Sequence, residues 1–226
     1  MRFEHLGLAA AGALAFGLMA VPAAAADFTF TSFGTKSPGR TVNMTGPGLP
    51  VNGNFTAVVI TLQGTQNFPP TGSVDFDAFC IDIETILQSP PGNYNISTSF
   101  VGTQWENVRR LAGLYFANPT GFDADQRAAL QMAIWQVIYP AKIFTSTPAV
   151  NTAFATYMSN LSLYPVDWGA RFIVSAPSGS ERRSQDLIIP GVVPEPATWA
   201  LLVSGFGLIG LGLRRRQRQG LAATTA

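Results

Sequence analysis

The chain of 226 residues is poor in the side chains that most enzymes use, since it holds one histidine, His5, and one cysteine, Cys80. A Ser-His-Asp or Cys-His hydrolase needs histidine as its base, and a zinc site needs several His or Cys ligands. A single cysteine forms no intramolecular disulfide. Carboxylate-pair glycosidase chemistry stays open, although no pair stands out. We therefore expect no enzyme and no cofactor, and favour a binding or structural role.

The N-terminus has the three parts of a secretory signal peptide. A charged start at Met1 and Arg2 precedes an apolar stretch over 6–19, and the alanines at 24–26 offer a small-residue cleavage site. We expect signal peptidase to remove residues 1–26, so that the mature chain begins at Asp27. His5 then leaves with the signal peptide, and the exported protein has no histidine.

The C-terminus combines a proline motif at 193–196, an uncharged apolar segment at 197–213 and a basic block at 214–218. Seventeen residues at ~1.5 Å rise per residue barely cross a hydrocarbon core of ~30 Å. Arginines following the segment favour a cytoplasmic side for that end. We predict one transmembrane helix at 197–213, with everything before it outside the inner membrane. The proline motif contains Pro194, Glu195 and Pro196, the candidate sorting residues, and the predicted membrane stop begins with Arg214, Arg215 and Arg216.

This order of features resembles the tripartite tail of the PEP-CTERM family of exported bacterial proteins. The resemblance covers residues 190–226 and implies that an exosortase-type transpeptidase recognises the tail and cuts near the Pro-Glu-Pro motif. It also implies a route: export, transient anchoring in the inner membrane, and then residence at the cell surface, in the outer envelope or outside the cell.

Loss of the signal peptide and of the tail arginines changes the formal net charge, which is +1 for the whole chain. Nine basic and twelve acidic residues remain, a net charge of minus three. A mildly acidic surface without a run of Lys or Arg has no means of neutralising many phosphates. We expect no nucleic-acid partner.

Residues 27–189 have the length of one domain with its own core. Strands followed by helices and a last strand predict an α+β fold, an antiparallel β-sandwich-like domain with a small helical subdomain. The strands are predicted at 28–31, 41–44, 55–62, 73–87 and 166–175, the helices at 105–116, 123–139 and 149–160, and a polar linker at 176–186.

The predicted strand 73–87 changes its apolar face midway. Val74 and Phe76 occupy even positions, whereas Phe79 and Ile81 occupy odd ones. Because side chains alternate with a period of two, this change predicts a bulge or bend near 77–79, directly before Cys80.

Two segments resemble the signatures of bacterial thioester domains, which occur on surface adhesins. Residues 79–82 read Phe-Cys-Ile-Asp, like the aromatic-Cys-x-Asp motif, and residues 131–135 read Gln-Met-Ala-Ile-Trp, like the Gln-x-Ala-Ile-Trp helix motif. The resemblance implies that the Cys80 sulfur attacks the Gln131 amide, releases ammonia and leaves an internal thioester. Such a bond would attach the protein to an amine-bearing surface target.

Plainer interpretations of the same residues stay open. A lone cysteine is often a small buried hydrophobe, and a helical glutamine often holds a neighbouring loop by hydrogen bonds. A non-covalent carbohydrate-binding or matrix-binding module, with an exopolysaccharide as partner, would instead use exposed rings. The candidates for that role are Trp105, Trp135 and Trp168.

Four acidic residues lie within ten positions, and their oxygens are the ligands that Ca²⁺ prefers. Their spacing matches no recognised calcium loop, which favours a solvated acidic edge and no metal. These residues are Asp75, Asp77, Asp82 and Glu84.

The sequence thus predicts an exported, C-terminally sorted bacterial protein of the cell surface or extracellular matrix, with a role in adhesion or structure. The expected partners are signal peptidase, an exosortase-type transpeptidase and the inner membrane, besides the surface target.

Overall fold

The computed structural model describes residues 26–48, 50–69, 71–177, 182–191 and 206. Nearly all of the predicted signal peptide and of the sorting tail lies outside these residues. The strands are β1 Phe28–Thr35, β2 Arg40–Thr45, β3 Gly53–Ala57, β4 Ile60–Gln66, β5 Gly72–Cys80, β6 Gly92–Ser97, β7 Ile143–Thr145, β8 Arg171–Ser175 and β9 Leu187–Ile189. The α-helices are α1 Thr103–Ala117, α2 Ala124–Ile138 and α3 Pro148–Ser159.

Six strands close into an antiparallel barrel in the order β1-β4-β5-β9-β8-β6. Closure depends on the three-residue strand β9, whose Leu187 pairs with Cys80 of β5 on one side and with Ile173 of β8 on the other. The α+β class and the antiparallel pairing are confirmed, but the predicted sandwich-like arrangement is wrong. A closed barrel replaces it because β9, directly after the predicted linker, joins two strands that would otherwise be edges.

A second sheet of three strands has the order β3-β2-β7. The predicted strand 55–62 is in fact two strands, since β3 ends at Ala57 in this sheet and β4 begins at Ile60 in the barrel. Strand β7 was not predicted, and it pairs Phe144 with Met44. The chain therefore passes from one sheet to the other within two residues, which leave Phe55 and Leu62 in different sheets.

The three helices lie within two residues of their predicted bounds. Helix α2 begins with a capping box, in which the Asp123 carboxylate accepts from the Gln126 N–H at 2.8 Å and the Gln126 side chain accepts from the Asp123 N–H at 2.9 Å. Residues 128–135 of α2 are all buried, because α1, α3 and the small sheet surround the helix. A helix buried on all sides is the central element of a domain.

Strand β5 runs without a bulge, since its register with β4 is unbroken from Gly72 to Ala78. Cys80 belongs to the core cluster that includes the barrel interior, whereas Phe79 and Ile81 belong to the cluster beside α1. The outer face of the strand becomes apolar where α1 and α2 cover it. The pairing thus contradicts a bulge in β5 up to Ala78, and the register shift lies instead in β1, around Thr31. The alternative, a bend near 77–79, stays a prediction.

Candidate functional site

Cys80 and Gln131 lie in direct contact although they are 51 positions apart. The Cys80 N–H donates to Gln131 Oε1 at 2.9 Å, and Gln131 Nε2 donates to the Cys80 carbonyl at 2.8 Å. Gln131 is fully buried and Cys80 is 4% exposed. The two residues of the predicted thioester pair are thus neighbours, joined here by a pair of hydrogen bonds.

Gln131 takes the place of a strand neighbour that β5 lacks at this point. Strand β4 pairs with β5 only as far as Ala78, while on the opposite edge the Ile81 N–H donates to the Asp186 carbonyl at 3.0 Å. Successive strand amides alternate in direction, so the Cys80 N–H and carbonyl face the edge that β4 has left. Buried backbone groups need partners, and one carboxamide supplies both a donor and an acceptor.

The Cys80 thiol donates to the Asp82 carbonyl, with 3.1 Å between sulfur and oxygen. Burial raises the pKa of this thiol, the Trp135 indole and the Asp82 backbone lower it in part, and the carboxylates of Asp82 and Asp186 raise it further. The buried Trp135 Nε1 makes no well-aligned hydrogen bond, so it is a weak donor facing the sulfur. A free Cys80 is therefore a neutral thiol at physiological pH.

Cys80 is buried in a core cluster that also holds Ile83 and Trp135. The Ile83 N–H donates to the Tyr139 hydroxyl at 3.3 Å. On the helix side, Trp135 packs against Phe55 of β3 with 6.2 Å between ring centroids. This burial shields the site from bulk water, and a large target would reach it only after residues packed around it move.

The three tryptophans that were candidates for ring stacking differ in exposure. Trp135 is buried beside Cys80, Trp105 is half-buried, and Trp168 is 66% exposed. Of the three, Trp168 is the one that offers a ring face to solvent.

The four acidic residues do not gather around one point. Asp77 accepts from Lys36 Nζ at 2.6 Å and from the Tyr115 hydroxyl at 2.8 Å. Asp75 accepts from the Gln63 amide, and Asp82 accepts from the Glu84 N–H. In the part of the chain that the structure describes, no group of three or more His, Cys, Asp or Glu side chains is placed to hold a metal ion.

Two buried polar groups were not anticipated. Asp186 lies in the predicted linker, yet its carboxylate accepts from the Ser175 N–H at 3.0 Å and from Arg183 at 2.7 Å. Lys142 is 2% exposed and donates to Gly46, Gly48 and Asn52. Asp186 lies in a polar stretch that resembles a loop, and Lys142 is a single charge between Ala141 and Ile143, so no local pattern marks either residue as a buried polar group.

The predicted sorting residues and the predicted membrane segment lie outside the described residues, except for Phe206, which is helical and exposed. Within the described ranges, no helix combines the length and the hydropathy that crossing a bilayer requires. The transmembrane helix at 197–213 stays a prediction.

Comparison with protein families finds one match, which covers residues 192–216 and is described as the PEP-CTERM protein-sorting motif. This chain carries a PEP-CTERM sorting signal. Searches among curated proteins and among solved structures find no significant match. The signal identifies the protein as exported and C-terminally sorted to the cell surface, and the PEP-CTERM motif implies processing by an exosortase.

Proposed function

We propose that the exported domain attaches this PEP-CTERM protein covalently to a partner at the cell surface or in the extracellular matrix, through a thioester between Cys80 and Gln131. The observation that carries the proposal is the paired hydrogen bond between the Gln131 carboxamide and the Cys80 backbone. Two residues that the sequence singles out separately thus meet in a buried site, which would protect an acyl bond from water.

Formation of the bond would begin with attack of the Cys80 sulfur on Gln131 Cδ. The Cys80 N–H, already bonded to Gln131 Oε1 at 2.9 Å, would stabilise the negative charge that develops on this oxygen. The Gln131 nitrogen would take the thiol proton and leave as ammonia, so the net change is loss of one ammonia. Because burial raises the thiol pKa and opposes a free thiolate, the thiol proton would pass to the departing nitrogen as the sulfur attacks.

Attachment would follow when a nucleophile on the target reaches the carbonyl of Gln131. An amine would form an amide with Gln131 and return the proton to the Cys80 sulfur as a free thiol. This transfer happens once for each molecule, because no group present restores the thioester. Burial of both residues means that residues packed around the site have to move before a macromolecular target can reach the Gln131 carbonyl.

Intact mass spectrometry of the processed protein, recovered from a host that exports it, tests the proposal. We expect the mass to be lighter by one ammonia, and we expect Cys80→Ala and Gln131→Ala each to abolish this deficit. Gln136→Ala is the matched control on the same helix, since the Gln136 side chain donates to Lys142 at 3.0 Å, and it should keep the deficit. An unmodified mass, with one thiol that titrates after denaturation, would overturn the proposal.

A second candidate is a non-covalent carbohydrate-binding or matrix-binding module. The observation in its favour is the exposed ring of Trp168, since a tryptophan face left in water is a common platform for sugars and other ligands. Adhesion that is unchanged in Cys80→Ala would favour this candidate over the thioester.

A further inference from the structure

A cleft of about 370 Å³ lies between the end of β6, the start of α1 and strand β8, on elements that do not carry Gln131. Its inner wall is aromatic, because the ring of Phe100 lies 4.5 Å from that of Trp105 and 4.7 Å from that of Phe172, between centroids. Trp168 stands at its rim, 66% exposed. The cleft therefore combines a rigid apolar wall with one ring that is free to stack on a ligand.

Two arginines line the same cleft. The Arg109 guanidinium lies 4.6 Å from the ring centroid of Phe172 and 6.0 Å from that of Trp168. Its Nε is buried and has no hydrogen-bond partner. Arg171 is exposed nearby and, after burial itself, is the largest cause that lowers the pKa of Arg109. A bound anion would reduce the repulsion between these two guanidinium groups and accept their hydrogen bonds.

Two carboxylates lie near these arginines, but among the described residues neither forms an ion pair with them. Glu106 lines the cleft, and the charges of Glu106 and Asp167 raise in part the pKa of Arg109 that burial and Arg171 lower. The Asp167 carboxylate accepts from the Gly169 and Ala170 N–H groups at 2.9 and 3.2 Å. The ion pairs of the described residues join Lys36 to Asp77, Arg40 to Asp125 and Arg183 to Asp186. Arg109 and Arg171 thus keep their donors available.

We propose that this cleft binds an acidic sugar unit of a polysaccharide, with the sugar ring stacked on Trp168 and its carboxylate on Arg109 and Arg171. Aromatic rings stack on the apolar face of a pyranose, and planar guanidinium groups match a carboxylate in a bidentate way. The site is independent of the thioester and gives the non-covalent candidate a ligand of defined chemistry. A protein that used both sites would hold an acidic matrix by the cleft and react with a target at Gln131.

Isothermal titration of the processed protein with a galacturonate oligomer, and with a neutral glucose oligomer of the same length, tests the inference. We expect the acidic oligomer to bind and the neutral one to bind at least about tenfold more weakly, the usual effect of removing a charge-assisted hydrogen bond. Trp168→Ala and Arg171→Gln should each weaken binding about tenfold.

Arg182→Gln, which removes an equally exposed arginine outside this cleft, is the matched control and should leave the affinity unchanged. If Arg182→Gln weakened binding as much as Arg171→Gln, the affinity would come from general charge attraction, and the inference would be wrong. Equal affinity for the acidic and the neutral oligomer would also overturn it, because the site would then not select an acidic sugar. Absence of binding by both oligomers would overturn it as well. The same titration in Cys80→Ala should be unchanged. A thioester that fails to form therefore leaves this inference intact, and a failed titration leaves the mass test unaffected.

Discussion

The side chain of Gln131 hydrogen-bonds the Cys80 backbone just beyond Ala78, where the pairing of β5 with β4 stops. The amide thus has a structural role whether or not it reacts. The contribution of Gln131 to the stability of the domain can therefore be measured separately from its reactivity.

Replacement of Gln131 by Leu should destabilise the domain by about 3 kcal/mol, because a buried N–H and a buried carbonyl of Cys80 both lose their partners. Denaturant unfolding measures the loss. The control is Gln104→Leu, since the exposed Gln104 also donates to two carbonyls, which water can satisfy after the change; we expect a loss below about 1 kcal/mol. Equal losses in the two variants would contradict the structural role of Gln131.

The stability of the free-thiol form should fall as the pH rises above about 8.5, the usual pKa of cysteine in an unfolded chain. Burial raises the pKa of Cys80 in the folded state, so the unfolded chain releases this proton first. The folded state then binds more protons than the unfolded one, and stability decreases by about 1.4 kcal/mol per pH unit. The buried tyrosines act in the same direction but begin near their own unfolded pKa of about 10.

Chemical unfolding between pH 8.5 and 10 checks this expectation, with Cys80→Ala as the reference. A slope in the native chain that is absent from Cys80→Ala marks a free thiol. If the thioester is present, the stability of the native chain should depend on pH no more than that of Cys80→Ala, because the bonded sulfur has no proton to release. The measurement therefore also bears on the proposed bond.

Incubation with a small amine and with glycerol should give mainly amine adducts on Gln131. Residues 27–226 contain no histidine to act as a base for a hydroxyl group, whereas an unprotonated amine attacks without help. Mass spectrometry of the adducts decides, and each amine adduct should appear together with one newly titratable Cys80 thiol. Gln131→Ala should form neither product, and a preference for glycerol would contradict the expectation.

Lys142→Met should cost about 3 kcal/mol of unfolding free energy. Its ammonium group donates to the carbonyls of Gly46 and Gly48 at 3.1 and 2.7 Å and to Asn52 Oδ1 at 3.1 Å, and its removal leaves these acceptors without a donor. The control is Lys36→Met, whose side chain is 37% exposed in its pair with Asp77, and which should cost below about 1 kcal/mol. Thermal unfolding of both variants makes the comparison.

The helices could be predicted from sequence because their signals are local. Asp123 and Gln126 form the capping box of α2, and Pro148 stands at the first position of α3, after the Thr147 cap. The contact of Cys80 with Gln131 was also predicted in outline, since each residue lies in a motif of its own.

The barrel could not be predicted because its closure depends on β9, three apolar residues without an alternating pattern. Such a run reads equally well as the end of a linker, and its partners lie far away along the chain. The cleft was missed for a related reason. Arg109 and Trp168 are 59 positions apart, and each alone looks like an ordinary surface residue.

The position of β9 also places the sorting motif only a few residues after the barrel. Ile189 ends the strand, and the motif begins at Val193, so three residues, which span at most ~14 Å between the Cα atoms of Ile189 and Val193, separate the barrel from the sorting motif. Because β9 lies between β5 and β8 and is antiparallel to both, a pull on the tail loads two ladders in shear at once. Force on an anchored tail would thus be resisted by hydrogen bonds beside Cys80.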